Sequence, residues 1–375
     1  MADLNDMLAD VRALVECESP SADLAAVARS AEVVARVGTA RLGVAPDKIV
    51  LDGRTHLRWR LGEAPTRVLL LGHHDTVWPL GSLAVHPYTV EGGVLRGPGC
   101  FDMKVGLVMA FHAAAGLDGV TLLVTGDEEL GSPSSRELVE VEARAATAAL
   151  VLEASAGGGA LKTERKGVSS YEVRLTGRAA HAGLEPERGV NATLELAHQV
   201  LAVSALADPL AGTTVTATVA RAGTTTNTVP AAGSFAVDVR ARTSAEQDRV
   251  HRAIRALPPV LPGARVEVSG EVNRPPLEAA ASAALYERAR GIAPRLGLPA
   301  PTRAAVGGAS DGNLTAGVGT PTLDGLGAVG GGAHAADEHV LVDQIPGRTA
   351  LLRALVEELL ADSTNPLAGS GAARP

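Results

Sequence analysis

Apolar runs of strand length, each ending abruptly in histidine or acid, recur along this chain. Leu69-Leu70-Leu71 runs into Gly72-His73-His74-Asp75. Val120–Thr125 runs into Gly126-Asp127-Glu128-Glu129, and Ala148–Leu152 into Glu153. Short continuous apolar runs of this kind suit strands covered on both faces. Helical spacing lies between them. Leu4, Leu8, Val11, Leu14 and Val15 predict a helix over 3–16, and Leu24, Val27, Ala31, Val34 and Val37 one over 22–41, with Ser21 a candidate cap. Further helices are expected over 103–117, near 134–145 (capped by Ser132 or Ser134), over 281–297 and over 345–360. Two short strands are expected at 48–52 and 55–61. Strands alternating with helices predict an α/β fold, with a mixed, largely parallel sheet flanked by helices. In such sheets the ligand site lies beyond the carboxyl ends of the strands. The Pro- and Gly-rich stretch 78–98 reads as a long loop, and Asp102 falls where it enters a helix, a cap position.

After residue 166 the pattern changes. Val168–Thr176, Thr213–Ala222, Ser234–Thr243 and Ala264–Val272 alternate as half-buried strands do. Helices are expected over Asn191–Leu206 and from a capping box at Ser244-Ala245-Glu246-Gln247 to about Leu257. The order β-α-β-β-α-β predicts a two-layer domain inserted at 167–273. A main domain of 1–166 and 274–362 surrounds it, and a Gly/Ala/Pro-rich tail, 363–375, is expected to be disordered.

Composition narrows the partners. A net charge of −8 with no Lys/Arg cluster argues against nucleic acid and anionic membranes. No apolar run approaches the ~20 residues of a bilayer span, and no signal peptide is visible at the N-terminus, so a cytoplasmic protein is expected. Aromatics are only 2% of the chain, so the core must be Val, Leu and Ala. Ten histidines against two cysteines make imidazole and carboxylate the expected metal ligands.

Candidate ligands fall at the strand ends. In an extended segment His73 and Asp75 share a face, and a ligating histidine usually donates its second ring N–H to a carboxylate. His73, Asp102, Glu129, Glu153 and His334 are nitrogen and oxygen donors from five separate loops, the composition of a two-zinc hydrolytic site. Two divalent ions would be balanced by three carboxylates and a bridging hydroxide, so such a site could be buried. Of the adjacent Glu128 and Glu129, one can ligate while the other faces the water as general base.

Seven motifs run in order along nearly the whole chain: Gly72–Val77, Gly97–Lys104, Gly126–Ser132, Gly177–Gly183, Asn227–Pro230, Gly308–Asp311 and Ala333–Glu338. In these the chain resembles the zinc-dependent aminoacylase/carboxypeptidase family, which includes glutamate carboxypeptidase, acetylornithine deacetylase and succinyl-diaminopimelate desuccinylase. The glutamate carboxypeptidase branch is most similar. The resemblance implies a di-zinc exopeptidase fold with an inserted ferredoxin-like domain serving as lid and dimerisation module. It implies two Zn²⁺, with cobalt or manganese as substitutes. His73 and Glu153 would hold one ion, Glu129 and His334 the other, and Asp102 would bridge them, followed by a cis peptide. Asp75 would orient His73 and Glu128 would be the general base. His181 would reach the site of the other subunit of a homodimer and stabilise the oxyanion. Asn227 and Arg274 would meet the substrate carboxylate. Ala335 replaces a serine common in the family. The implied reaction is amide hydrolysis of an N-acyl amino acid or peptide, releasing a C-terminal amino acid, with glutamate the first candidate. A deacylase for another amino acid is the alternative. A silent binding protein on the same fold is a remote one, since Glu128 and every ligand are retained. The remaining histidines, including His74, are expected to be structural.

Overall fold

The computed structural model describes residues 3–362; the tail expected to be disordered lies outside the described residues. The chain divides into two compact units. One comprises residues up to Glu164, Glu278–Val306 and the segment from Ser310; the other comprises Arg165–Leu277 with Gly307–Ala309. The expected insertion was 167–273.

The first unit is built on a six-stranded sheet. Asp47–Leu51 and Arg54–Leu61 form an antiparallel hairpin on its edge. Val120–Thr125, Val68–His73, Ala148–Val151 and Thr322–Leu323 follow in parallel. The period of two explains how uniformly apolar strands serve two cores. Leu70, Leu122 and Val124 face a large cluster with the helices Leu4–Val15, Leu24–Leu42, Val105–Ala114, Ala279–Arg295 and Gln344–Ala361. Leu69, Leu71 and Leu123 face a smaller one with Arg136–Ala145 and Gly312–Gly317.

Several expected caps are displaced. Asp23, not Ser21, caps the second helix, accepting from Ala26 N–H at 2.9 Å. The Ser21 hydroxyl instead donates to the Thr76 carbonyl. The helix at 136 draws its cap from Asp127, whose carboxylate accepts from the Ser134 N–H and from the Ser134 and Ser135 hydroxyls.

The second unit is a four-stranded antiparallel sheet with two helices, Ala192–Ser204 and Ser244–Arg255. Numbered by chain order, its strands Gly167–Thr176, Thr214–Ala222, Ala232–Ala241 and Arg265–Arg274 lie in the order 2-3-1-4, the ferredoxin-like arrangement. Alternate residues Phe235, Val237 and Val239 enter its core with Tyr171, Val203, Val250 and Ile254. Thr243, one residue before the expected Ser244, is the cap of the second helix.

The helix Val105–Ala114 sits hard against the strand end that leads to Glu153. A Cβ on Gly106 would lie 2.2 Å from the Leu152 carbonyl oxygen. Gly106→Ala is therefore expected to cost about 1–3 kcal/mol or more, through displacement of the helix. An unchanged urea midpoint would contradict this seating.

Candidate metal centre

The stretch 78–98 is not all loop: it contains a hairpin that positions the site. Thr89–Glu91 and Val94–Arg96 form a hairpin through Gly92 and Gly93, both at positive φ. Val94–Arg96 also pairs with His339–Leu341, which pairs with Gly330–Gly331. This small sheet delivers two loops side by side: Gly97–Asp102 and the Gly332–Glu338 connection carrying His334. Asp102 is not a helix cap. The helix begins at Val105, and Asp102 has extended φ/ψ of −120° and 92° with a cis peptide to Met103. His334 itself stands at φ 62°, in the left-handed region that few non-glycine residues occupy.

The five expected ligands converge. His73 Nε2 lies 3.3 Å from Asp102 Oδ1 and 3.5 Å from Glu153 Oε1. His334 Nε2 lies 3.3 Å from Asp102 Oδ2 and 3.2 Å from Glu129 Oε2. Asp102 thus presents one oxygen to each histidine. Donor atoms of His73, Asp102 and Glu129 cluster within 4.8 Å of one another, as do those of His73, Glu128 and Glu153. Zinc binds nitrogen and oxygen donors tetrahedrally at roughly 2.0–2.2 Å, which sets neighbouring donors roughly 3.3–3.6 Å apart. The observed separations match. His73 Nε2, Asp102 Oδ1 and Glu129 Oε1 are moreover buried without a hydrogen bond of good geometry among the described residues. Buried polar atoms are otherwise nearly always satisfied, so this donor set fits a pair of divalent cations.

The electrostatics agree. Burial opposes charge on the His73 ring, but Asp102, Asp75 and Glu153 outweigh it and raise its pKa well above the usual value. Asp102 and Glu129 push His334 up to about 10. Burial acts against the Asp102 carboxylate, yet His334 and His73 hold it far below the ordinary carboxylate range. Burial raises Glu129 despite His334.

Backbone amides hold the acids in place. The His73 Nδ1–H donates to the Asp75 carbonyl at 2.9 Å, while the Asp75 carboxylate is 3.5 Å away. That carboxylate chiefly accepts the N–H groups of Glu128 and Glu129, both at 3.2 Å. Asp75 therefore sets both glutamates as well as the histidine. Its own loop is gripped from the N-terminal segment: Ser19 donates its hydroxyl to the His74 carbonyl, and Thr76 N–H bonds the Ser19 carbonyl. His74 points away from the acids into a buried niche, bonded to Ser30 and the Thr55 carbonyl; burial lowers its pKa to about 4. Glu338 closes the Ala333–Glu338 motif and is not one of the expected ligands. It is buried and accepts four N–H groups, including that of Asp102. The signal was its place in the His334 motif.

His181, Asn227 and Arg274 belong to the second unit. His181 is exposed in a short strand paired with Thr228–Val229. Its Nδ1 accepts from Gly183 and Leu184 N–H, which leaves Nε2 as a donor. Asn227 sits in the adjoining turn, its carbonyl accepting from Ala182 N–H. Arg274 is buried at the end of its strand.

Residues 69–358 match the model of peptidase family M20/M25/M40. The chain belongs to that family. As an M20/M25/M40 peptidase it is 32% identical, over 297 residues, to carboxypeptidase G2 of Pseudomonas sp. (strain RS-16), covering 74% of this chain and 70% of that one. Its fold is shared by the aminopeptidase PepT of Bacillus cereus ATCC 10987. There the identity is 20%, the TM-score 0.72, and coverage is 96% of this chain and 99% of that one. It is shared too by the YXEP protein of Bacillus subtilis, described as a dinuclear metal-binding peptidase of the M20 family. For that protein identity is 14% and the TM-score 0.65, with coverage of 94% and 98%.

The two histidines that face Asp102 favour the protonated ring at pH 7 in metal-free protein, because the surrounding carboxylates raise their pKa values. A ligating imidazole must be neutral. Zinc uptake by chelator-treated protein at pH 7 is therefore expected to release one to two protons. Calorimetry in buffers of different ionisation heat reads this number directly, and a value of zero would contradict the assignment.

Proposed function

We propose that this M20/M25/M40 peptidase is a two-zinc exopeptidase that hydrolyses the amide bond of an N-acyl amino acid or short peptide and releases the C-terminal amino acid. The observation that carries the reading is the Asp102 carboxylate, one oxygen toward each of two histidines, with Glu128 grouped beside His73 and Glu153. His73, Asp102 and Glu153 would hold one ion, and Asp102, Glu129 and His334 the other. Bound there, the ions lower the pKa of a water roughly from 15.7 towards 7 and polarise the amide carbonyl. Glu128 takes the proton of the attacking water and passes it to the leaving amine. Its main chain is fixed by Asp75, so that the carboxylate is presented rather than left to search. The Nε2–H of His181 donates to the oxyanion of the tetrahedral intermediate, a contact of a kind often worth about 3–4 kcal/mol. Arg274 and Asn227 receive the free carboxylate of the substrate. Glutamate is the first candidate for the released amino acid, on the likeness of the motifs to the glutamate carboxypeptidase branch.

The second unit serves as lid and dimerisation module, and His181 acts on the partner's site. Supporting this, Leu194 and Leu201 are 48% and 70% exposed on the helix Ala192–Ser204, and Val219 is 54% exposed on the edge strand Thr214–Ala222. Such an apolar face on a helix and sheet edge suits a second copy of the chain.

Glu128→Gln is expected to lower turnover of the best substrate by at least roughly 10²–10⁴-fold while two zinc ions per chain remain bound. The test is a panel of N-acyl amino acids and dipeptides, with a chelator control. Preference for an acyl group on another amino acid would keep the chemistry and replace the substrate. No turnover on the whole panel by the zinc-loaded protein would reject the enzyme reading. Leu201→Asp is expected to give a monomer by sedimentation and to lose most activity. A fully active monomer would remove His181 from the partner's site.

A further inference from the structure

We propose that Glu338 is the positioning residue of this metal centre: its buried carboxylate fixes the main chain that carries Asp102 and ties it to the loop that carries His334. The inference rests on reading the five converging donors as a metal centre. Oε1 of Glu338 accepts the N–H of Phe101 at 2.8 Å and of Asp102 at 3.0 Å. Oε2 accepts the N–H of Gly99 at 2.9 Å and the indole N–H of Trp78 at 2.7 Å. Both oxygens are doubly filled, on a residue only 3% exposed.

The four donors are not scattered. Three lie in the main chain between Gly99 and Asp102. The fourth stands three residues after Asp75, in the connection that leaves the His73 strand. Glu338 itself follows His334 by four residues. One side chain thus joins the segments leading from His73, to Asp102 and from His334, three of the five ligand-bearing loops. The His334–Glu338 stretch is braced internally as well. Ala335 N–H donates to the Gly332 carbonyl at 2.9 Å and Glu338 N–H to the Ala335 carbonyl at 3.0 Å. A Cβ on Gly332 would lie 2.7 Å from Glu338 N, so the turn closes tightly on itself. A shift of Glu338 is therefore carried to His334 as well as to Asp102.

Placing another acid beside three metal-binding carboxylates is unfavourable unless only a carboxylate can do the work. A glutamine has nearly the same shape, but it accepts hydrogen bonds at one oxygen alone. Its amide NH₂ would face two of the four N–H donors. A carboxylate accepts at both oxygens, and its bonds to N–H groups are charge-assisted. The double occupancy of both oxygens is the geometry a glutamine cannot reproduce. Outer residues that orient ligands typically change metal affinity roughly 10–100-fold when lost.

The test uses full-length, chelator-treated protein titrated with cobalt(II) and with zinc in competition with a chromophoric chelator. Glu338→Gln is expected to bind metal roughly 10–100-fold more weakly and to shift the visible cobalt bands. The melting temperature of the metal-free variant reports folding separately. Wild-type cobalt bands and wild-type affinity in Glu338→Gln would overturn the proposal, as would a lowered metal-free melting temperature with unchanged affinity, which marks a merely structural role. Hydrogen exchange on the wild-type protein needs no variant to fold. The Gly99, Phe101 and Asp102 amides should be protected in metal-free protein, and free exchange there would overturn the proposal. Wild-type protein that bound no divalent metal would instead reject the metal-centre reading beneath it.

Discussion

Asp102 offers one oxygen to each of two histidines, in a pocket where Glu129, Glu153 and Glu128 also converge. Left to themselves, so many carboxylates in one partly buried space would repel one another and lose their hydration. Histidines drawn towards protonation, and buried oxygens without hydrogen bonds, both express the same deficit of positive charge. The rest of the first unit can be understood as scaffolding that makes this deficit durable. Parallel strands end together at one edge of the sheet. A small second sheet brings in the loops of Asp102 and His334 from the side.

The scaffold works mainly through main-chain amides. Asp75 is held by the N–H groups of Glu128 and Glu129, Glu338 by those of Gly99, Phe101 and Asp102, and Asp127 by that of Ser134. Among the described residues, none of these three acids takes a hydrogen bond from a lysine or arginine. Peptide dipoles fixed in the fold can satisfy a carboxylate without a mobile cation that would compete with a bound metal for the ligating acids. The segment that wraps Glu338 carries two glycines. Gly97 and Gly99 stand at φ values of 141° and 71°, which let their chain wrap a side chain closely.

Much of this was legible in the sequence, for a physical reason. A strand covered on both faces must be apolar throughout, so the polar residue at its end is conspicuous; His73, Glu128, Glu129 and Glu153 stand out in that way. The βαββαβ alternation of the second unit was equally plain, because half-buried strands write their period directly. Two kinds of feature were not legible. Three-residue strands such as Val94–Arg96 are too short to show a period, so the hairpin that aligns Asp102 with His334 read as loop. Caps were misplaced by a residue or more because Ser21, Asp23, Ser132 and Asp127 are all chemically able to cap, and only tertiary contacts decide. The helix-cap reading of Asp102 failed similarly: a loop-to-helix junction fits it locally, while its real partners, His73 and His334, lie in distant parts of the chain and close in space.

The grip of Ser19, Ser21, Ser30 and Thr55 on His74 and Thr76 has a consequence for where this chain can be cut. All four residues precede position 69, where the recognisable family segment begins. That segment holds every candidate ligand, yet the strand end bearing His73 is seated in hydrogen bonds supplied from outside it. The part of the chain before the family segment is thus the mount of the His73 strand end. The same segment also supplies Met7, Val11, Leu14, Val34 and Trp59 to the main core, so a fragment cut to the family boundaries would lose one wall of that core together with the hydrogen bonds that seat the His73 strand end.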